Sequence, residues 1–272
     1  MAMVVQHNLR AMNSNRMLNV NTQSQVKSAE KLSSGYRINR AADDAAGLAI
    51  SEKMRRQMRG LTQASTNAQD GISMVQTAEG ALNEVHDMLQ RLNELSVKAE
   101  NGTLTSTDRD YINSEVQQLI SEIDRVADTT TFNEQMLLDG TLTNCNLQVG
   151  AESDQKIRFN IKKMDSTGLS INGMTATDID AADTLNGKVK EAIIALSTQR
   201  AELGAIQNRL EHTINNLDNV VENTTAAESR IRDTDMATEM VKYSNTNILA
   251  QAGQAMLAQS NQANQGVMSL LQ

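Results

Sequence analysis

Three histidines and one cysteine are the residues of this 272-residue chain best suited to metal or nucleophilic chemistry. His7, His86 and His212 lie far apart, and no His-Glu-x-x-His pair is present to bind zinc from one helix face. Cys145 is the single cysteine, which excludes an intramolecular disulfide and a cysteine-rich metal site. The Gly-x-Ser-x-Gly turn of hydrolases and the phosphate-cradling glycine loop are missing. We therefore expect no enzyme activity, no catalytic residue, no cofactor and no metal, and histidines that serve only in helix surfaces or packing.

Charged residues also offer candidate chemistry, which the surrounding pattern argues against. Asp43 and Asp44 could act as paired carboxylates, but adjacent acids at a helix start more commonly cap the helix and stabilise its positive end. Residues 52–59 read EKMRRQMR, a basic run without aromatic residues and flanked by acids. The net charge of -8 also disfavours dedicated nucleic-acid binding. We expect no nucleic-acid partner, and a solvent-facing or subunit-facing helix side here.

Targeting and processing signals are weak. No stretch approaches the roughly 18 apolar residues of a membrane span, and the apolar start of the chain is interrupted at Gln6. Residues 101–103 and 223–225 fit the N-glycosylation pattern, which is common by chance, so we expect neither to be glycosylated. The chain is expected to have no membrane segment, and to be either cytosolic or exported without a hydrophobic leader.

Composition and periodicity predict a mainly α protein. Proline is absent and aromatic residues make up 2 % of the chain, which favours long helices over a large mixed core. A helix is predicted from Asp43 to Glu100, where Asn101-Gly102 offers a left-handed stop. At 1.5 Å per residue it would be about 87 Å long, more than a compact globule of this size accommodates. Its apolar residues repeat every seven positions on two lines: Val75, Leu82 and Leu89; Ala78, Val85, Leu92 and Ala99.

Two further helices and one β region complete the predicted order of elements. A helix from about Thr107 to Asp128 carries apolar residues at spacings of three and four, and another runs from about Asp183 to Asp233. The second of these has one heptad line through Val189, Leu196, Leu203, Leu210, Leu217 and Ile231, and a weaker one through Ile193, Ile214 and Val221. Between the two helices, Ile157, Phe159 and Ile161 alternate with polar residues, as in a strand. The heptads predict a left-handed bundle whose helices bury one another.

The two ends of the chain differ from its middle in charge. Residues 1–26 carry only Arg10 and Arg16, and residues 244–272 carry no formal charge. Their scattered aliphatic residues are too few to stabilise a lone helix, so we expect both ends to be mobile in a free monomer. We infer that the ends pair with each other and with other copies of the chain. A repeated contact that does not close would then build a filament.

Four segments carry a family resemblance. Residues 31–51 read KLSSGYRINRAADDAAGLAIS, residues 207–217 read QNRLEHTINNL, residues 226–233 read AAESRIRD and residues 247–252 read NILAQA. Together they resemble the terminal signatures of bacterial flagellins, with a match over about 1–140 and 184–272. The chain looks like a minimal flagellin without outer domains. Where many flagellins have Phe-Asn-Gly it has Phe132, Asn133 and Glu134, so we expect Asn133 to supply that turn alone.

The resemblance implies a structural subunit that polymerises into the flagellar filament for swimming. It further implies export through the flagellar type III apparatus to an extracellular position, and partners in the export chaperone, the filament cap and the hook-junction proteins. A hook–filament junction protein is the alternative within this class, and a flagellin-like metalloprotease is an alternative of another class, disfavoured because the chain lacks its histidine motif.

The implied fold is an elongated rod of long heptad-patterned helices with a small β-hairpin region, whose terminal helices form a coiled coil in the polymer. Five segments follow: an N-terminal inner-tube helix and linker, two rod helices, a short β-rich variable segment, a C-terminal rod helix and a C-terminal inner-tube helix. Their ranges are 1–42, 43–130, 131–182, 183–235 and 236–272.

Particular residues are carried over by the same resemblance. A Toll-like receptor of vertebrate innate immunity contacts some flagellins at positions that match Arg91, Leu95 and Glu115, although Arg91 and Leu95 could equally form an interface between subunits. The N-terminal assembly segment is represented by Leu9, Met12 and Leu18. Polymerisation and chaperone binding are assigned to Ile248, Leu249, Met256, Leu257, Leu270 and Leu271.

Overall fold

The computed structural model describes the backbone of residues 8–270 and the side chains of residues 8–262. Nine elements follow in chain order: α1 Leu9–Ser34, α2 Ala45–Ala99, α3 Ser106–Thr129, β1 Thr131–Phe132, β2 Gln135–Met136, β3 Cys145–Gln148, β4 Lys156–Phe159, α4 Ile179–Arg232 and α5 Met236–Leu270. The mainly α class and the three predicted long helices are confirmed.

The chain forms two compact units, whose division falls inside α2 and α4. One unit contains residues 8–56 and 223–270, and the other is Gln57–Glu222. We call them the terminal unit and the middle unit. The five segments expected from the sequence remain a prediction about the assembled protein.

The core of the middle unit is built on the predicted heptads. All seven of the α2 residues on the two predicted lines are fully buried, from Val75 to Ala99. From α4, Val189, Leu196, Leu203 and Leu210 are buried in the same way. The weaker predicted α4 line is only half-buried, and a different line, Leu185, Ala192 and Gln199, faces the core instead. That second line has one small residue, Ala192, and one amide, Gln199, which explains why hydrophobicity did not reveal it.

The β region contains two short antiparallel hairpins, where the sequence predicted one. In the larger, β3 pairs with β4 so that Leu147 faces Ile157 and Cys145 faces Phe159. Ile157, Phe159 and Ile161 are buried as their alternation predicted. The smaller hairpin joins β1 and β2 through a two-residue turn.

That turn and the end of α2 correct two conformations expected from the sequence. Asn133 has φ 49° and Glu134 has φ 66°, so both residues are left-handed, as a type I′ turn requires. The expectation that Asn133 supplies the turn alone is wrong. Gly102 is not left-handed. Instead, Arg109 closes α2 by donating to the carbonyl oxygens of Ala99 at 3.0 Å and Asn101 at 3.1 Å.

Polar side chains of the helices hold the irregular segment between the hairpins and α4. Asp124 on α3 accepts from both the amide and the hydroxyl of buried Ser166, at 2.8 and 2.9 Å. Gln199 on α4 is 1 % exposed, and it donates to the Asn160 carbonyl and accepts from the Lys162 amide. These side chains replace the backbone partners that a larger sheet would supply.

Candidate functional site: the paired terminal helices

In the terminal unit, α1 and α5 pack along each other. On α1 the less exposed residues recur at spacings of three and four: Ala11, Ser14, Leu18, Asn21, Gln25, Ser28 and Leu32. On α5 the same spacing selects Thr246, Ala250, Gly253, Leu257 and Ser260. The seam of this helix pair therefore consists mainly of small and polar residues, which let two helices approach closely.

Specific contacts fix the register of the pair. Gly253 lies against Leu18, whose Cδ1 would be 3.4 Å from a Cβ atom at the glycine, an ordinary van der Waals distance. Asn8 caps α1 by accepting from the Ala11 amide at 3.0 Å, and its Nδ2 donates to the carbonyl oxygen of Ser260 at 3.2 Å. Within residues 8–262 the two ends therefore pair with each other, as inferred from the sequence, while their mobility in a free monomer stays a prediction.

Most of the larger aliphatic residues that are described on the two helices face solvent instead of the seam. Leu9 is 69 % exposed and Met12 64 %, while Ile248, Leu249 and Met256 are 60, 52 and 58 % exposed. Leu18 and Leu257, which were predicted with them, lie in the seam. The side chain of Leu270 and the whole of Leu271 lie outside the described residues. The helix pair consequently has apolar outer faces that a single chain leaves uncovered.

A compact cluster around Arg232 joins the chain segments that lead into the helix pair. The guanidinium group of Arg232 lies 4.8 Å from the centre of the Tyr36 ring and forms an ion pair with Glu52 at 2.7 Å. Its backbone carbonyl accepts from the Arg37 amide, and Thr234 donates to the carbonyl of Gly35 at 2.9 Å. The hydrogen bond from Arg232 lowers the pKa of the Glu52 carboxyl below its usual value.

Of the two acids at the start of α2, Asp44 caps the helix as predicted, whereas Asp43 closes the turn that precedes it. Asp44 accepts from the Gly47 amide at 2.9 Å, and Asp43 accepts from the Arg40 amide at 3.0 Å. The backbone hydrogen bond from Arg40 lowers the pKa of Asp43, although desolvation opposes the shift. These bonds organise residues 39–47, between the Arg232 cluster and α2.

The three residues predicted to contact a receptor occupy different environments in the middle unit. Arg91 on α2 donates to Glu115 on α3 at 2.9 Å and to neighbouring Glu94 at 3.0 Å, and all three are partly exposed. The hydrogen bond to Glu115 raises the pKa of Arg91. Leu95 is 2 % exposed and packs in the core with Leu92. It therefore offers no surface to a partner, whereas Arg91 and Glu115 do.

Sequence reasoning missed the seam of the helix pair and the Arg232 cluster. The seam has a sequence signal, since Ala11, Leu18, Gln25 and Leu32 are spaced by seven, but its polar members hide it from a search for hydrophobic repeats. The Arg232 cluster joins positions far apart in the chain and has no local signal.

The described residues contain neither a metal-binding cluster nor a membrane-spanning helix. Among the side chains of residues 8–262, no three of His, Cys, Asp and Glu come together in a geometry that would hold a metal ion. His86 lies beside Gln90, His212 is exposed, and His7 is outside the described residues. None of the helices within residues 8–270 combines the length and hydrophobicity of a membrane span.

A helical chain whose two ends pair and present apolar outer faces belongs to the class of self-assembling structural proteins. Residues 5–143 match the family model described as the bacterial flagellin N-terminal helical region, and residues 187–271 match the bacterial flagellin C-terminal helical region. The chain therefore belongs to the bacterial flagellin family and is a structural subunit of the flagellar filament.

Two flagellins match this chain over 99 % of its length. Flagellin of Halalkalibacterium halodurans is 55 % identical, covering 99 % of this chain and 100 % of the relative. Flagellin of Bacillus subtilis is 50 % identical with the same coverage. A crystal structure of Bacillus cereus flagellin, 31 % identical, superposes with a TM-score of 0.50 over 56 % of this chain and 88 % of its own. These matches favour a filament subunit over the junction protein and the metalloprotease.

Proposed function

We propose that the outer faces of α1 and α5 are the surfaces through which the subunit polymerises, and that the resulting filament serves swimming. The observation that carries this proposal is the exposure of Leu9, Met12, Ile248, Leu249 and Met256 on the helix pair. Exposed apolar side chains favour association, because covering each one fully stabilises a complex by about 1.5–3 kcal/mol.

The charge pattern supports the same surface. Residues 244–272 carry no formal charge, and Arg10 and Arg16 are the only charged residues in 1–26. An interface between copies removes side chains from water, and a charge buried there without a partner would cost several kcal/mol. Nearly uncharged helices avoid that cost.

A series of substitutions at Leu249 tests this assignment. Leu249→Asp places a carboxylate on the outer face, whereas Leu249→Asn is nearly isosteric and uncharged, and Leu249→Met keeps an apolar side chain. Since Leu249 is half exposed in the single chain, all three variants should retain the helical circular dichroism of the wild type. We expect elongation of filament seeds to be abolished by Asp, weakened by Asn and retained with Met.

Normal elongation of seeds by Leu249→Asp would contradict the proposal. If the aspartate variant elongates seeds as the wild type does, Leu249 does not lie in an interface. Deletion of residues 244–272 provides a coarser test, because it removes half of the helix pair. The shortened chain should stay helical in its middle unit and add to no seed.

The proposed function also includes export of the chain and its binding by a chaperone before assembly. We propose that the chain leaves the cell through the flagellar type III apparatus, carries no catalytic activity, and assembles under the filament cap beyond the hook-junction proteins. The exposed residues Ile248, Leu249 and Met256 would also serve the export chaperone, which would cover them before polymerisation. Calorimetry with the purified chaperone should therefore give weaker binding for Leu249→Asp than for Leu249→Met, and equal affinities would reject this contact.

A receptor contact remains a separate proposal, carried by the Arg91–Glu115 pair on the surface of α2 and α3. Glu115→Ala should reduce signalling in cells that carry a flagellin-responsive Toll-like receptor. Glu122→Ala is a matched control, because Glu122 is also on α3 and also pairs with an arginine, Arg125 at 2.5 Å. Equal signalling by the two variants and the wild type would exclude this face.

A further inference from the structure

Three Asn-Gly pairs occur in the chain, and the structure gives them three different environments. Asn101-Gly102 lies in the loop between α2 and α3, Asn172-Gly173 lies in a turn before α4, and Asn186-Gly187 lies within α4. In an Asn-Gly pair the glycine nitrogen can attack the side-chain carbonyl carbon of asparagine, because no Cβ atom obstructs the approach. Whether it does so depends on the groups around both atoms.

We propose that Asn101 is a site of spontaneous deamidation, which converts it to a mixture of aspartate and isoaspartate. The Gly102 nitrogen forms a bond to Cγ of Asn101 and gives its proton to water, and the side-chain nitrogen leaves as ammonia. The resulting five-membered succinimide then takes up one water molecule, which opens the ring at either carbonyl. The reaction consumes only water and involves no oxidation.

Hydrogen bonds around Asn101 favour both halves of the first step. The amide of Thr103 donates to Oδ1 of Asn101 at 3.2 Å, which draws electron density from Cγ and would stabilise negative charge on Oδ1 during attack. This contact closes a small turn that contains both Cγ and the Gly102 nitrogen.

The side chain of Arg109 affects the attacking atom, which is the Gly102 nitrogen. Its guanidinium group donates at 3.1 Å to the backbone carbonyl oxygen of Asn101, and the Leu104 amide donates to the same oxygen at 3.3 Å. That carbonyl is conjugated with the Gly102 nitrogen, so a cation bound to its oxygen makes the Gly102 N–H more acidic. The loop therefore stabilises the charge that forms at each end of the new bond.

The Gly102 nitrogen is free to react. Within the described residues its N–H makes no hydrogen bond, and both Asn101 and Gly102 are exposed. A Cβ atom on Gly102 would have no neighbouring atom within 4 Å apart from its chain neighbours, and the glycine is not left-handed. The structure consequently accepts alanine at this position, which provides a blocking variant with an intact loop.

The other two Asn-Gly pairs lack the hydrogen bonds that surround Asn101. Asn172 is exposed, but among residues 8–262 no group donates to its side-chain or backbone oxygen. Asn186 is 7 % exposed, its Nδ2 donates to Glu100 at 2.7 Å, and its glycine lies inside a helix, where the amide is held by the helical ladder. We expect conversion in the order Asn101, then Asn172, then Asn186.

Mass spectrometry of the full-length protein tests this order. The protein is incubated at neutral to mildly alkaline pH, sampled over time and digested with trypsin, and isoaspartate is confirmed by enzymatic methylation. Asn101 lies in the peptide of residues 99–109, whereas Asn172 and Asn186 share the peptide of residues 164–188 and are separated by fragmentation. Asn101 should convert about fiftyfold faster than Asn172, with about fivefold from the Thr103 hydrogen bond and about tenfold from the charged donor Arg109.

Three variants test whether conversion depends on the loop around Asn101 or on the Asn-Gly dipeptide alone. Gly102→Ala should suppress conversion at Asn101 and leave Asn172 unchanged. Arg109→Gln should slow Asn101 by about tenfold, since it removes a charged donor, and Arg109→Lys should slow it less because the charge is kept. In denaturant the three asparagines should convert at similar rates. Conversion of Asn172 at the same rate as Asn101 or faster in the folded protein, or no effect of Arg109→Gln in a variant that keeps its helical signal, would overturn the proposal.

Discussion

Asp124 gives the sharpest stability prediction, because it holds an irregular segment onto α3 through a single carboxylate. Its two oxygens accept from the amide and the hydroxyl of Ser166, at 2.8 and 2.9 Å. Ser166 is 2 % exposed, so water cannot replace a lost partner without opening the segment. Asp124→Ala removes both acceptors, whereas Asp124→Asn keeps one acceptor oxygen and offers its NH2 group to the hydroxyl.

The expected loss of stability follows from the two hydrogen bonds that Asp124→Ala removes. Leaving a buried donor unpaired costs about 1–3 kcal/mol, so two donors on one residue that can partly relax should cost about 2–3 kcal/mol for Asp124→Ala. For a unit of this size that corresponds to a fall of about 5–10 °C in melting temperature. Asp124→Asn should cost about 1 kcal/mol or less, since the geometry is kept and only the charge is lost.

Urea denaturation followed by circular dichroism measures these changes, and hydrogen exchange at the Ser166 amide locates them. Ser166→Ala, alone and with Asp124→Ala, completes a double-mutant cycle with an expected coupling of about 1 kcal/mol. If Asp124→Ala lies within about 0.5 kcal/mol of the wild type, as an ordinary surface substitution does, the carboxylate does not hold the segment.

Three smaller predictions concern a turn, an ion pair and a helix cap. Glu134→Gly should stabilise the middle unit by about 1 kcal/mol in urea denaturation, because Glu134 is left-handed at φ 66°, and a loss of stability would contradict the turn geometry. The hydrogen bond from Arg232 lowers the pKa of Glu52 below its ordinary value of 4.5, so its contribution is present above that pH and lost as the pH falls through the folded pKa. Glu52→Gln and wild type should therefore differ in stability at neutral pH and converge in acid; a constant difference would reject the ion pair. Thr105→Ala should cost about 1 kcal/mol by thermal melting, since Thr105 and Asp108 form a capping box at the start of α3, and an unchanged melting temperature would argue against it.

The parts of the fold that depend on hydrophobic repeats could be predicted from the sequence. The line through Val75, Leu82 and Leu89 is buried as expected, because a strict repeat of large apolar residues has no other low-energy position in water. The alternation of Ile157 and Phe159 predicted a strand for the same reason. Asp44 was correctly identified as a cap of α2 because that role depends only on local backbone geometry, whereas Asp43 caps the preceding turn instead.

The remaining features depend on polar contacts between distant parts of the chain. Gln199 appears at a heptad position where an aliphatic residue is expected, and only the approach of residues 160–162 explains its burial. The predicted left-handed end of α2 was wrong because Arg109, from the next helix, supplies the cap. Such partners cannot be inferred from propensity, which describes each segment alone.

The terminal helices could be predicted in part from the sequence, and in part only from contacts between distant parts of the chain. The sequence identified their scattered aliphatic residues and their lack of charge, and these led to the expectation of an assembly surface. It did not show that Leu18 and Leu257 face the seam while Leu249 and Met256 face outward. That distinction depends on how the two helices pack, with Leu18 lying against Gly253.

The central claim is that the outer faces of α1 and α5 are covered by neighbouring copies in the filament. Methionine oxidation by peroxide tests it directly, because Met12 and Met256 are more than half exposed in the single chain while Met74 and Met164 are buried and report on unfolding. Met12 and Met256 should oxidise rapidly in the monomer and be strongly protected in the filament, with Met74 and Met164 slow in both. Equal oxidation of Met12 and Met256 before and after assembly would contradict the account.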